Sequence, residues 1–341
     1  MKSSPAARPL LWALVPAYRL SLALRELQFR SGFKPVRRLK WPVVSIGNLS
    51  TGGAGKTPLT IALAKALSAR GLHVDVLSRG YGRRSTLPLF VDPNGAAEEF
   101  GDEPLLIARE ACVPVYVAAE RYDAGLLAEA TSEAPQNTEE SRRPKAHILD
   151  DGFQHRQLAR DVDILLLDGT EWSTEHLLPA GNLREPFSAL RRATVVAVTE
   201  PGGLLLEKWL RSNGRWQGPI WRLRRFMEIP PLDGPVAAFC GIARPDQFFQ
   251  GLESAGVKIA ARIAFADHHN YTAADLARIT AAARKAGATV LLTTEKDRVR
   301  IGALATTVSA SLPIQTVPLH IEIEDEKAAI DWLIYSLKDP A

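Results

Sequence analysis

The sequence predicts an α/β fold. Its core is a parallel sheet of the P-loop NTPase type, followed by a smaller C-terminal α/β domain on a two-strand linker and preceded by an N-terminal membrane-associated helix. Three observations carry this reading. From Trp41 onward, short apolar runs suited to buried strands alternate with segments of helical period. The first of these strands runs directly into the glycine-dense turn "NLSTGGAGKTP" (48–58). The first 40 residues combine apolar and basic residues in the manner of a segment lying at a lipid surface.

The chain has 341 residues, of which 46% are hydrophobic and 23% charged, a folded globular composition with room for two domains. A net charge of +4 is too small to imply a nucleic-acid partner, and no obligate protein partner is evident. Cys112 and Cys240 each lack a CxxC neighbour, so neither a disulfide framework nor a zinc site is expected, and a reducing cytoplasm fits.

The N-terminal element is placed at 1–40. "PLLWALVPAYRLSLALRELQFRSG" (9–32) is rich in Leu and Ala, yet its longest charge-free run, Pro9 to Tyr18, is half of the roughly 20 residues a spanning helix needs. With Arg19, Arg25 and Arg30 and then Lys34, Arg37, Arg38 and Lys40, it reads as an amphipathic helix in the lipid interface; a helix packed on the protein's own core is the alternative. Arg19 interrupts the apolar stretch and no A-x-A site follows, which argues against a cleaved signal peptide.

The strands of the core are read at "PVVSIG", "LHVDVLS", "PVYVAA", "AHILD", "VDILLLD" and "ATVVAVT", with a helix over "PLTIALAKALSARG" (58–71). The polar stretch 131–145 reads as a surface loop. A second strand–helix–strand set begins at "GPVAAFCGIARPDQF" and runs through "ATVLLTTEKD" (288–297). Between the sets, "WRLRRFMEIP" (221–230) and "PIQTVPLHIEIE" (313–324) have extended character and are expected to pair. The core domain is thus placed at 41–220 with 325–341 returning to it, and the smaller domain at 234–312.

A strand, a glycine-rich turn and Lys-Thr at a helix start are the arrangement in which backbone N–H groups and a helix N-terminus surround phosphate oxygens. Ser50, Thr51, Gly52, Gly53, Ala54, Gly55, Lys56 and Thr57 are therefore the nucleotide-binding candidates. Lys56 would reach the β- and γ-phosphates and the Thr57 hydroxyl would ligate Mg²⁺, so ATP and Mg²⁺ are the expected cofactors. Ser50 stands where the usual pattern has glycine.

Such a loop needs an acid at the end of a neighbouring strand. "HILDD" offers Asp150 and Asp151 and continues through Gln154 and His155; "DILLLD" offers Asp168. Further polar islands have plain structural readings. Asp102 of "GDEP" could cap the helix that follows, and His268 and His269 of "ADHHNYT" precede a helix with Thr272 as N-cap and Asp275 behind it. Arg184 and Glu185 of "PAGNLREP" could form a loop ion pair, and "SRGYGR" (78–83) could bind anions or only turn the chain.

The ordered set "STGGAGKTP", "LSRGYGR", "GDEP", "DDGFQHRQLARDVDILLLD", "LLPAGNLREP", "FCGIARPDQF", "FADHHNYT" and "LLTTEKDRVR" closely resembles the tetraacyldisaccharide 4'-kinase family of lipid A biosynthesis, over essentially the whole chain to about residue 325. That family's variant loop carries a polar residue where Ser50 stands. The resemblance implies ATP-dependent phosphorylation of the 4'-hydroxyl of a tetraacyldisaccharide 1-phosphate, giving lipid IVA, at the cytoplasmic face of the bacterial inner membrane. It also implies an acid–imidazole dyad of Asp102 and His268, with His269 the alternative imidazole. Asp150, Asp151 and Glu185 match positions associated with magnesium and nucleotide, and His155, Gln154 and Arg184 fall in the same motifs.

The phosphate loop alone leaves other classes open. A P-loop switch ATPase or GTPase acting on a protein partner would share it, although neither an NKxD motif nor a Cys/His cluster is present in the sequence. A nucleotide-binding membrane scaffold without turnover would share it as well.

Overall fold

The computed structural model describes residues 9–132, 143–169, 176–212, 214–309 and 312–338. The N-terminal segment forms two helices, α1 (Pro9–Trp12) and α2 (Val15–Arg30), rather than one helix reaching residue 40. Pro16 sits in the first turn of α2, where its missing N–H costs nothing, and the break falls just before it. Gly32, with φ of +72°, follows the end of α2, and Arg37 then bridges to Leu158. Val15 is buried in an apolar cluster with Leu49, Phe153 and Leu165, against which Leu11, Tyr18 and Leu22 pack. Leu20, Leu24 and Leu27, spaced to share one stripe of α2, are 61%, 52% and 61% exposed. Among the described residues no helix is long and apolar enough to cross a membrane.

The chain continues as β1 (Val43–Asn48), α3 (Lys56–Ala69), β2 (His73–Ser78), β3 (Leu89–Phe90), α4 (Ala97–Phe100), α5 (Asp102–Ala111), β4 (Val115–Val117), α6 (Arg121–Thr131), β5 (Lys145–Asp150), β6 (Val162–Asp168), β7 (Val195–Thr199), α7 (Gly203–Ser212) and β8 (Ile220–Met227). The second half comprises β9 (Val236–Cys240), α8 (Pro245–Ser254), β10 (Ile259–Ala264), α9 (Ala273–Lys285), β11 (Val290–Thr294), α10 (Glu295–Ile301), α11 (Leu304–Ser309), β12 (Ile314–Val317), β13 (Leu319–Ile323) and α12 (Glu326–Lys338).

Nine strands form one sheet in the order β13-β8-β7-β6-β1-β5-β2-β4-β3. The strands from β8 to β4 pair in parallel, and β13 and β3 close the two edges antiparallel. All six residues of β1 are buried, which is why its sequence is a run rather than an alternation. Its position between β5 and β6 sets the glycine turn beside Asp150, since Ile46 is in register with that residue. A second, all-parallel sheet has the order β10-β9-β11-β12.

The two extended segments between the sequence sets pair antiparallel, from Met227↔Leu319 to Leu223↔Ile323. They are not a free-standing connector, because β8 also pairs with β7 and so widens the large sheet. Residues 313–324 form two strands rather than one: β12 belongs to the small sheet and β13 to the large one. The chain changes sheets at Pro318, which has no N–H to offer a ladder. Helix α12 packs its Ala329, Ile330 and Leu333 into the core of the large sheet with Leu59, Leu63 and Leu67 of α3. The stretch expected as a polar loop falls mostly on 133–142, outside the described residues.

Candidate functional site

The glycine turn ends at Gly55, whose φ of +98° forms the left-handed N-cap of α3. The turn is stitched to the "PAGNLREP" segment: Ser50 bridges Leu183, the Thr51 N–H donates to the Asn182 carbonyl at 2.7 Å, and the Arg184 N–H donates to the Leu49 carbonyl at 2.6 Å. A Cβ at Gly53 would meet nothing within 4 Å, so the turn stands open on that side. Ala54 and Thr57 are buried. The Lys56 ammonium donates to Asn48 Oδ1 at 3.1 Å and lies 3.4 Å from Asp151 Oδ1.

Asp150 ends β5 in a fully enclosed position and accepts from the Thr60 hydroxyl at 3.2 Å. Burial, followed by repulsion from Glu103 and Asp151, pushes its carboxyl up to about 7. Asp151 has φ of +48°, an uncommon conformation for a residue with a Cβ. Both its carboxylate oxygens accept from Arg184 Nη1, at 3.2 and 3.0 Å. Burial works against the ionised form of Asp151, but Lys56 and Arg184 outweigh it and hold the pKa below its ordinary value.

Phe153 packs so closely over β1 that a Cβ at Gly47 would lie 2.5 Å from its own Cβ. Gln154 donates to the Asn48 carbonyl at 2.9 Å, while its Oε1 and His155 Nε2 are buried without hydrogen-bond partners among the described residues. Burial, then the charges of Arg121, Arg160, Arg25 and Arg79, push His155 down to about 4, so it is neutral. Glu185 turns away from this group and forms an ion pair with Arg192. Asp168 accepts from Arg244 at 2.6 Å, tying the end of β6 to the segment that follows β9.

Asp102 opens α5 and is 6% exposed. Its Oδ2 lies 3.3 Å from His268 Nδ1 and accepts from Arg300 Nε at 2.7 Å and from Arg300 Nη2. Burial opposes its charge, yet the hydrogen bond to His268 and the charges of Arg300 and Lys296 hold its pKa well below the usual carboxylate range. The bond to Asp102 raises the His268 pKa above 6.5. His268 is also in left-handed backbone, with φ of +58°. His269 faces elsewhere: its Nε2 is 3.2 Å from Asp275 Oδ2 and its ring stacks on Phe265 at 4.5 Å. Thr272 and Asp275 form the capping box of α9.

The site thus gathers Lys56, Thr57, Asp150, Asp151 and Arg184 at one locus and Asp102 with His268 at another. Glu103 links them, since it bears on Asp150 and pairs with Lys296 at 2.5 Å. Glu103, Lys296, Arg300, Asn48 and Thr60 were not among the residues read from the sequence. A usable signal was present for two of them: Lys296 and Arg300 are four apart on α10 and share a face. Among the described residues no three His, Cys, Asp or Glu converge to hold a metal. The donors beside the glycine turn are nevertheless all oxygen, from the Thr57 hydroxyl and the carboxylates of Asp150 and Asp151, a set suited to Mg²⁺.

The tetraacyldisaccharide-1-P 4'-kinase family model matches residues 7–338. The tetraacyldisaccharide 4'-kinase of Koribacter versatilis is 40% identical over 323 residues, covering 92% of this chain and 94% of that protein. Its namesake from Anaeromyxobacter dehalogenans strain 2CP-C is 39% identical over 339 residues, with 93% and 87% covered. The crystal structure of LpxK from Aquifex aeolicus in complex with ATP superposes with a TM-score of 0.73 at 30% identity, covering 97% of this chain and 99% of that one. With this match from end to end, the chain belongs to the tetraacyldisaccharide 4'-kinase family.

Proposed function

We propose that this protein transfers the γ-phosphate of ATP to the 4'-hydroxyl of a tetraacyldisaccharide 1-phosphate, giving lipid IVA and ADP. The observation that carries this is the pairing of a phosphate loop with a separate carboxylate–imidazole pair, since a switch ATPase has no acceptor hydroxyl to activate. Support comes from the family match and from the ATP bound by the Aquifex aeolicus relative.

In this reading the N–H groups of residues 50–57 and the α3 N-terminus hold the β- and γ-phosphates, with Lys56 drawn from Asp151 onto them. Mg²⁺, held by Thr57, Asp150 and Asp151, would offset charge on the phosphates; Glu185 could join only by giving up Arg192. Asp102 accepts from His268 Nδ1–H, which leaves the Nε2 lone pair for the acceptor hydroxyl. The hydroxyl proton passes to Nε2 as its oxygen bonds to the γ-phosphorus, and the bridging oxygen leaves with ADP. Gln154, His155 and Arg184 border the locus and would orient the sugar or the phosphates.

The apolar stripe of Leu20, Leu24 and Leu27, beside Arg19, Arg25 and Arg30, would lie on the anionic cytoplasmic face of the inner membrane and receive the amphiphilic substrate there. The test is transfer from γ-labelled ATP with Mg²⁺ to tetraacyldisaccharide 1-phosphate in detergent micelles, with Lys56→Ala alongside. Label on the lipid that disappears with Lys56 supports the proposal. ATP hydrolysis with no label on the lipid overturns it.

A further inference from the structure

The Arg300 side chain is 5% exposed and makes polar contacts to both halves of the molecule. On the side of the small sheet, its Nη1 donates to the Gly241 carbonyl at 2.6 Å and lies 3.2 Å from Asp297 Oδ1. Asp297 is itself fixed by the Gly241 N–H and the Tyr271 hydroxyl, each at 3.0 Å. One edge of the guanidinium is therefore anchored. The other edge crosses to the large sheet and presents Nε and Nη2 to a single atom, Asp102 Oδ2. The same Nη2 lies 3.2 Å from His268 Nδ1.

We propose that Arg300 is a positioning residue for the transfer reaction: it holds Asp102 Oδ2 beside His268 Nδ1, joining an acid carried by the large sheet to an imidazole carried by the small one. This rests on the reading above that Asp102 and His268 activate the acceptor hydroxyl. A guanidinium carries donors and no acceptor, so it keeps Asp102 ionised; with that carboxylate accepting the imidazole Nδ1–H, the 3.2 Å approach of Nη2 to Nδ1 is a contact between two donors and not a hydrogen bond. That choice of tautomer leaves Nε2 free to take a proton. The fork also fixes the carboxylate in direction, which a single point charge does not.

A structural tie remote from the ring, such as that of Arg244 to Asp168, would not move the titration of His268. The groups that face the ring are Asp102, Arg300, Asp267 at 4.0 Å from Nε2, and the Tyr81 ring at 5.4 Å; Asp102 also feels Lys296. Removing the guanidinium leaves two carboxylates facing the imidazole, so protonation of His268 becomes easier and the acid limb of kcat moves to higher pH.

The experiment compares the pH dependence of kcat and the KM for ATP in the wild type, Arg300→Met, Arg300→Lys and Arg244→Met, with Asp102→Asn and His268→Gln as references. Arg244→Met removes a different tie between the two halves, the bond to Asp168. Arg300→Met is expected to lower kcat by about 10- to 100-fold, in keeping with loss of a charge-assisted hydrogen bond, while KM for ATP stays within about twofold. Its acid limb should rise, and Arg300→Lys should restore the limb and part of kcat. An unchanged kcat in Arg300→Met overturns the proposal, as does a parallel loss in Arg244→Met with neither limb displaced. Should Arg300→Met fail to fold, Arg300→Lys decides: reduced kcat at normal KM supports positioning, and wild-type kcat overturns it. Wild-type turnover in Asp102→Asn and His268→Gln would instead remove the underlying reading of the site.

Discussion

The Lys56 ammonium lies 3.4 Å from Asp151, whose two carboxylate oxygens both accept from Arg184. The lysine of the glycine turn is thus held by an acid that follows directly on the neighbouring strand. Lys56→Ala should lower transfer by about 10²-fold or more, the usual effect of deleting a preorganised group that stabilises developing charge. Measured single-turnover transfer at saturating ATP checks this; a loss of less than tenfold would place the main phosphate contact elsewhere.

Asp102→Asn should lower kcat by about 10²- to 10⁴-fold with little change in ATP affinity, since in the proposed reaction the His268 base loses the carboxylate that orients it while the phosphate loop is untouched. The pH profile supplies the sign. The Asp102 carboxylate raises the His268 pKa above 6.5, so the neutral base is lost as pH falls through that raised value. Without the carboxylate charge, the residual activity of Asp102→Asn should have its acid limb at lower pH than the wild type. A limb moving upward would mean that Asp102 is not the charge His268 responds to.

Helix α2 is tied to the core by Glu26, which pairs with Arg156 at 2.5 Å and with Arg191 at 3.1 Å as well as with Arg30 on its own helix. Burial opposes the Glu26 charge, but the bonds to Arg156 and Arg30 prevail and hold its pKa at about 2. A depressed acid contributes stability above its unfolded value of 4.5 and loses it as pH falls towards 2. Amide protection across 15–30, taken relative to the intrinsic exchange rate at each pH, should therefore fall between pH 5 and pH 2.5, about the window those values bracket. Glu26→Gln should exchange quickly at pH 6 already, and equal protection in variant and wild type would dismiss the tie.

His147 on β5 is wholly buried, with Nδ1 2.6 Å from Asp75 and Nε2 3.5 Å from Glu129, stacked on Trp41 at 4.9 Å. Burial disfavours the imidazolium, yet Asp75 and Glu129 outweigh it and raise the pKa to about 9. The contribution is complete below pH 6.5 and fades as pH rises through about 9. Glu129 also accepts from the N–H groups of Lys40 and Trp41, at 2.6 and 3.0 Å, so the cluster anchors the entry to β1. His147→Leu should cost about 3–5 kcal/mol in denaturant unfolding, because two buried carboxylates lose their cation. A Tm that stays flat from pH 7 to pH 10 would speak against a charged His147.

Six strands of the large sheet, β1, β2, β4, β5, β6 and β7, were legible because each depends on neighbours close in sequence, whereas the two-residue β3 is too short to show a pattern. A buried parallel strand shows as an apolar run and the phosphate turn shows as glycines before Lys-Thr; in the half built on the small sheet, the Thr272–Asp275 box is likewise a spacing of three. Pro16 and Pro318 are equally visible in the sequence, and it is beside them that the N-terminal segment divides into two helices and residues 313–324 into two strands. The direction of Glu185 was not legible. Its neighbour Arg184 turns to Asp151 while Glu185 turns to Arg192, and adjacent residues in a loop carry no periodicity from which to read a side.

By itself, the sequence determined the strands, the phosphate turn and the ordered motifs that mark the family, all of them properties of residues near one another along the chain. Only the tertiary structure decided that His268 rather than His269 faces Asp102, that Arg300 completes that group, and that Asp168 serves the contact between the two halves. Arg300 and Asp102 are 198 positions apart, and nothing in either segment encodes the other. Their meeting follows from how the small sheet packs against the large one. Two charges can be left so far from water only where that packing brings each the other as a partner.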